Sequence, residues 1–536
     1  MKFFLLFSAF FILPTNAQYL IPSQSWIPST LEEATILSGK ATLNHTLPLT
    51  PKEVQRITDT LLSYKTLLPI SLQGQLFFAT AKNGFISSLT LQPYSPLIPK
   101  IMSNDSAWKA TIGGTLTGEI VARSTQKNPY LTRYEERHPL VTLDFSGTYN
   151  DNFIFSTYSV WRNLWPVYIY DVNDSNIPKK LLRDLDVRNF HKAYIFYDFG
   201  FLSAQVGRDN FRWGVGERGT LMLSDNVPYY DMIRIGMYGK NWKAISAFTT
   251  LTDYEPQFYG PGKYKPVEEI FKPPKTMFAH RVEFLPWEKL NIGLSEMTII
   301  FGRYPTLSDI NPLIIQHNLY KEYQNSLASF DFTLYPYSGI SLYGELTLDE
   351  VNIGKSGTDT ERPTSLGYQL GTKIVHYPFV GVAEYIFLDK WLYNYPKEYN
   401  PIGRPLEMDG VQYVPSPGRD LILRPMGHWL QPDSRSLYFA VQTSSALSYK
   451  AKISYEQRNY GEVTLDTPYL DSIYINQNTP TGIVEATNIY TINGGYHYWN
   501  LYVEGKISLF TIKNFLHKKE HNISGAEYQF FINIYF

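Results

Sequence analysis

The densest set of chemically capable groups in this chain lies in Gly207-Arg208-Asp209-Asn210-Phe211-Arg212-Trp213-Gly214-Val215-Gly216-Glu217-Arg218-Gly219. Its three arginines carry planar forks of N–H donors that suit carboxylates and other anions. Trp213 offers an aromatic face for a sugar ring. The glycines let a backbone approach closely. Arg208, Asp209, Arg212, Trp213 and Arg218 therefore suit carbohydrate or anion contact. The alternative is a loop folded inward and held by arginine–carboxylate pairs. Gly214-x-Gly216-x-x-Gly219 matches a dinucleotide fingerprint by letter only. No helix pattern follows it and no βαβ unit surrounds it.

A second such stretch spans 392–434, with Tyr393, Tyr395, Tyr399, Arg404, Tyr413, Arg419, Asp420, Arg424, His428 and Trp429. Stacking faces interleaved with bidentate donors are what a glycan site needs, and Arg424 and Trp429 are the candidates here. The alternative is a surface loop packed on itself. Catalytic groups are poorly placed, because His280 has no serine or aspartate at nucleophile spacing. Asp171-Val172-Asn173-Asp174-Ser175-Asn176 begins like a calcium loop, but it lacks the turn glycine and the twelfth-position glutamate. The expectation is no catalytic residue, no metal and no cofactor.

The elements that carry these stretches follow from periodicity. Met1-Lys2, the apolar run Phe3 to Leu13 and Thr15-Asn16-Ala17 form a secretory signal peptide over 1–17. Residues 18–105 read as a small helical segment, with capping-box spacing at Ser29-Thr30-Leu31-Glu32 and Thr50-Pro51-Lys52-Glu53. The first of these helices should end at Gly39. From residue 106 the period is two, as in Tyr449, Ala451, Ile453 and Tyr455 against Lys450, Lys452, Ser454 and Glu456. Charges repeated along one face are costly in a sandwich core and expected on a wet barrel lumen.

The pattern predicts 18 strands, with boundaries good to about 2 to 4 residues. Tight turns at 150–151, 200, 240, 337–338 and 378–379 alternate with long connections such as 161–189, 209–228 and 392–434. The last strand puts Tyr528, Phe530, Ile532, Ile534 and Phe536 on one face, with Phe531 and Tyr535 as exceptions on the other. The fold class is thus an all-β transmembrane antiparallel barrel over 106–536, behind a helical periplasmic segment. Beyond residue 13 no apolar run reaches the roughly 18 residues of a spanning helix. The chain has 42 Tyr among its 536 residues, which suits interfacial girdles. It has no Cys, which excludes disulfides. A net charge of -1 gives no basic footprint for nucleic acid.

Gly207-Arg208-Asp209, Arg212-Trp213-Gly214-x-Gly216 and Leu221-x-Leu223-Ser224-Asp225-Asn226 resemble the Wzi-type capsule assembly family. So do His280-Arg281, Ser295-Glu296, Gly302-Arg303, Asn311-Pro312 and Asn325, and so does the layout of the whole chain. The resemblance implies a non-catalytic lectin of the bacterial outer membrane that binds capsular or exopolysaccharide. It also implies that the helical segment plugs the periplasmic mouth. Surface polysaccharide and outer-membrane lipids would be its partners, and a monomer is favoured. A porin for small solutes is the alternative, because about 16 to 18 strands can leave an aqueous pore.

Overall fold

The computed structural model describes residues 20–23, 25–79, 108–125, 128–129, 131–132, 136–163, 173–176, 185–251, 275–300, 303–311, 314, 324–350, 364–393, 411–415, 421–465, 467, 473–474 and 476–536. The signal peptide expected over 1–17, and the expected boundary of the helical segment near 105, lie outside them.

Among the described residues, 18 long antiparallel strands form a closed barrel. They are β1 (Trp108–Arg123), β2 (Val141–Tyr149), β3 (Phe153–Asn163), β4 (Leu185–Asp198), β5 (Leu202–Asp209), β6 (Tyr230–Tyr238), β7 (Trp242–Leu251), β8 (Lys275–Trp287) and β9 (Leu290–Ile300). The second half holds β10 (Gln324–Tyr337), β11 (Ile340–Glu350), β12 (Ser365–His376), β13 (Phe379–Leu388), β14 (Ser434–Thr443), β15 (Tyr449–Tyr460), β16 (Glu485–Tyr498), β17 (Leu501–Lys513) and β18 (Ile523–Tyr535). Each pairs with its neighbour. The ring closes where β1 meets β18, from Thr115 opposite Tyr535 to Arg123 opposite Glu527.

Two-residue periodicity sorts the side chains. Ile112, Leu116 and Ile120 on β1, and Tyr528, Phe530 and Ile534 on β18, are exposed on the outer wall. Thr115, Thr117 and Glu119, and Gln529, Phe531 and Asn533, are buried on the inner wall. Nearly every strand repeats this outward apolar belt, which would be a large liability in water and is required in lipid. The exceptions Phe531 and Tyr535 pack inside against Tyr502. Exposed aromatics gather at the short-turn ends of the strands: Trp108, Tyr149, Trp242, Trp287, Tyr337, Phe379, Tyr449, Tyr498 and Trp499. This is one interfacial girdle. The turn after β2 places Asn150 and Asp151 at φ 49° and 57°, the left-handed conformation that closes tight hairpins.

Among the described residues, three α-helices precede the barrel: α1 (Trp26–Ser38), α2 (Pro51–Leu62) and α3 (Ile70–Ala79). The first begins earlier than its expected cap at Ser29. Ser25 is the N-cap, and its Oγ accepts from the Ile27 amide. Pro28 then falls in the first turn, where its missing N–H has no intrahelical role to lose. Gly39 ends the helix at φ 65°, as expected. The box at Thr50 and Glu53 forms in both directions, at 3.2 and 2.8 Å.

The helices sit against the short turns. The Ile36 carbonyl accepts from the Gly339 amide at 2.8 Å, and Glu288 O from the Ala41 amide at 2.7 Å. Arg56 donates to Gly239 O at 2.6 Å, Ser71 meets Tyr377 at 2.9 Å, and Glu33 accepts from the Ser445 amide at 2.8 Å. A buried charge cluster locks the segment into the wall. Lys243 Nζ lies 3.1 Å from Glu53 and 3.3 Å from Glu283, and it donates to Leu43 O at 3.0 Å. Arg281 donates to Asp331 through both terminal nitrogens and to Thr46 Oγ1 at 2.7 Å.

Lys243→Met should leave Glu53 and Glu283 buried without their shared cation, a loss of roughly 3–5 kcal/mol. Limited proteolysis is the check. We expect faster cleavage within 20–79 while the barrel keeps its heat-modifiable migration on gels. Unchanged protection would show that the cluster does not hold the segment.

Candidate functional site

The loop that follows β5 does not stay outside. From Asn210 to Tyr229 it descends into the lumen, where Arg212-Trp213 pairs as a short strand with Thr46-Leu47 of the N-terminal segment. The Gly214 amide donates to His45 O at 3.1 Å and the Trp213 amide to Leu223 O at 2.9 Å. Phe211, Trp213, Leu221, Met222, Leu223 and Val227 form a buried core with inward side chains of β6 to β9, including Met232, Met277, Met297 and Ile299. Acidic side chains of the wall cap the loop's amides. Glu384 accepts from the Glu217 and Arg218 amides at 2.6 and 3.0 Å, and Glu345 from the Leu221 amide at 2.9 Å. Lys373 bridges Glu217 at 2.8 Å and Glu32 of α1 at 2.6 Å. Its ammonium holds the Glu217 carboxyl down at about 2.

These contacts separate the residues expected to act together. Trp213 is 1% exposed, so its indole anchors the loop and presents no face for a sugar. Asp209 is buried and accepts from Gln205 at 3.0 Å, with Lys192 Nζ at 3.5 Å. Arg212 donates to the Gly216 carbonyl across its own turn. Arg208 stands on the parity of the exposed Val206, away from the lumen. It forms a bidentate pair with Asp231 at 2.8 and 2.7 Å and lies 4.0 Å from the Tyr229 ring. Asp209, Arg212 and Trp213 thus belong to the inward-folded loop and its root, and Arg208 faces outward. Arg424 lies in the strand Leu421–Pro425, and its side chain is outside the described residues.

Arg218 and Trp429 do come together. Trp429 Nε1 donates to Arg218 O at 2.7 Å, and the Arg218 guanidinium lies 5.4 Å from the Trp429 ring and 5.0 Å from Tyr438. Arg458 of β15 covers the same indole at 4.7 Å. Glu456 joins the two arginines, at 3.2 Å from Arg218 and 2.8 Å from Arg458. The two guanidinium groups line a cavity of about 920 Å³ in the lumen, while Trp429 stands behind them. The cavity runs along the inner faces of β15 to β18 and of β3 and β4, where Arg162, His191 and Lys192 line it, and is bounded by Glu136, Arg137 and His138 on one side and by Trp26 and Asp225 on another. Its size falls within the range of ligand pockets.

Sequence reasoning missed the strand residues of this cavity: Tyr438, Lys450, Lys452, Arg458, Asn493 and Lys506. Alternating charges marked the inward face of β15, but a lumen-facing parity alone does not distinguish a ligand wall from any other wet wall. The segment Asn173 to Asn176, which begins like a calcium loop, has a structural role. Asn173–Ser175 pairs with β1, and Asn176 exchanges hydrogen bonds with Glu119 N and Thr117 O at 2.7 Å each.

The family model for capsule assembly protein Wzi matches residues 105–383. The chain is similar to the solved Wzi of Escherichia coli, described as an outer membrane protein involved in group 1 capsule assembly and a carbohydrate binding β-barrel. That likeness has 12% identity and a TM-score of 0.55, and covers 97% of this chain and 99% of that one. The outer membrane channel DcaP of Acinetobacter baumannii is 8% identical at a TM-score of 0.37, over 81% of this chain and 99% of that one. OccK3 (OpdO) of Pseudomonas aeruginosa is 9% identical at 0.41, over 80% and 95%. A comparison with curated proteins gives no match.

Glu456→Gln should leave the Arg218 and Arg458 guanidinium groups facing each other without their shared anion. A loss of about 1.5–3 kcal/mol is expected for hydrogen bonds to a charged group. Hydrogen exchange should report it as faster exchange at Glu217 and Arg218, with the barrel strands unchanged. Equal exchange at those amides would mean that Glu456 does not organise the site.

Proposed function

This chain belongs to the Wzi family of capsule assembly proteins, and on that premise we propose that it binds capsular or exopolysaccharide at the cell surface and takes no part in catalysis. It is an outer-membrane protein with an 18-strand barrel. The observation that carries the reading is the group Arg218, Arg458, Trp429 and Tyr438 at the head of the luminal cavity. Guanidinium forks can donate in pairs to sugar hydroxyls or carboxylates. The aromatic rings fix those forks from behind.

In this reading Arg218 and Arg458 touch the glycan, with Trp429 as their support. Asp209, Arg212 and Trp213 hold the loop that delivers Arg218. Arg208 buttresses the rim, and Arg424 stays a candidate contact from the long loop. The helical segment closes the periplasmic mouth, consistent with its hydrogen bonds to the short turns around the barrel. The glycan is retained and not passed through. A polymer would enter by a terminus or a branch.

Two measurements check this. Arg218→Ala and Arg458→Ala should each weaken binding of purified surface polysaccharide by about tenfold or more, corresponding to about 1.4 kcal/mol. Arg208→Ala should bind as the parent does, because that side chain faces away from the lumen. Equal binding by all four proteins would remove the cavity head as the site. In planar bilayers the intact chain should give no steady open-pore current. A sustained ohmic conductance would favour the porin.

A further inference from the structure

Below the arginines, the cavity wall carries a row of donors that only the sheet register reveals. Lys452 on β15 lies opposite Asn493 on β16, Asn493 opposite Lys506 on β17, and Lys506 opposite Gln529 on β18. All four line the cavity. Lys450 lies two residues from Lys452 on the same inward parity. With neighbouring strands about 4.8 Å apart, Lys452 and Lys506 stand about 10 Å from each other along the row.

The partners of these groups are uneven. Among the described residues, neither Lys452 nor Lys506 forms an ion pair. Lys452 Nζ has the Tyr438 ring at 5.6 Å, and Lys506 Nζ donates to Thr132 Oγ1 at 3.3 Å. Lys450 Nζ has the Tyr502 ring at 5.6 Å. The nearby carboxylates already have partners, Glu504 within the row itself and Glu217 on Lys373. Glu504 accepts from Asn493 Nδ2 at 3.0 Å and from the Tyr502 hydroxyl, and Glu456 is held by the two arginines. Glu119 accepts from Gln529 Nε2 at 2.7 Å and from Arg137 at 2.9 Å. The next row up offers neutral hydroxyls from Ser454, Thr491 and Ser508, with Thr491 and Ser508 2.9 Å apart. Like-charged ammonium groups lining a partly desolvated space repel one another, and an anion that enters between them relieves this.

We propose that Lys452 and Lys506, with Asn493 between them, form an anion subsite inside the barrel that takes a carboxylate or phosphate group of the bound ligand. The subsite rests on the polysaccharide reading and narrows it to glycans that carry acidic groups. The hydroxyl row and the arginines above would take the neutral part of the same ligand. An acidic sugar and a lipid phosphate supply the same chemistry, so the test separates them.

The experiment is isothermal titration of the full chain in detergent with three probes: a short oligogalacturonate, its methyl ester and inorganic phosphate. The parent is compared with Lys452→Gln/Lys506→Gln, with heat-modifiable migration confirming that the double variant is folded. We expect the acid to bind the parent at least tenfold more tightly than the ester, and this preference to disappear in the variant. The advantage should also shrink as salt is raised. Equal affinity for acid and ester would overturn the anion subsite and leave the glycan reading standing. An acid preference that survives in the folded double variant would overturn this placement of it. Binding of phosphate alone, lost in the variant, would keep the row as a phosphate site and overturn its assignment to a glycan. No binding of any probe by the parent would overturn both.

Discussion

A polypeptide that crosses hydrocarbon cannot leave a backbone N–H or C=O unpaired, and in a sheet only closure removes the edges. Here closure is the pairing of β1 with β18. The seam extends to Phe536, because Gly114 and Phe536 exchange backbone hydrogen bonds at 2.8 and 3.1 Å. Once the ring is closed with 18 strands, its interior is too wide for wall side chains alone to fill. The remaining architecture answers the question of what occupies that space.

Two segments of the chain enter from opposite ends. The helical segment rises from the short-turn end and the 210–229 loop descends from the long-loop end. They meet as strands at Thr46-Leu47 and Arg212-Trp213. A buried ionic layer around Lys243, Glu283, Arg281 and Asp331 lies alongside this junction, with an apolar layer around Trp213 and Met297 nearby. Such a layer contributes little net stability when complete and costs much when broken. It therefore fixes where the helical segment sits more than how firmly the barrel holds. The filling is asymmetric. The loop packs its apolar face against β6 to β9, and the cavity is left between loop, first helix and the inner faces of β3, β4 and β15 to β18.

How much of this could be read in advance depended on the interaction involved. All 18 strands were legible, because lipid outside and water inside impose strict alternation, and turn lengths alternate with it. Gly39 and the Thr50–Glu53 box were legible because helix ends are local. The true start of α1 was not, because Ser29 with Glu32 has the stronger local box spacing, whereas the helix starts one turn earlier at Ser25 with Pro28 in its first turn. Arg218 and Trp429 were nominated by type and do meet. Trp213 and Arg208 were nominated by type and point elsewhere, since nothing local tells a loop which way to fold or which parity its flanking strand ends on. The Lys452–Asn493–Lys506 row was invisible for a different reason. Its members are scattered along the chain and become neighbours only through register.

As proposed above, a surface glycan is held inside the barrel, between the Arg218–Arg458 pair and the wall of β15 to β18. The most direct measurement is an experimental structure of the full chain with purified surface polysaccharide fragments bound. Ordered sugar density is expected in the cavity, within hydrogen-bonding distance of Arg218 and Arg458. Sugar ordered only on the outer surface of the loops, with the cavity holding water, would contradict it.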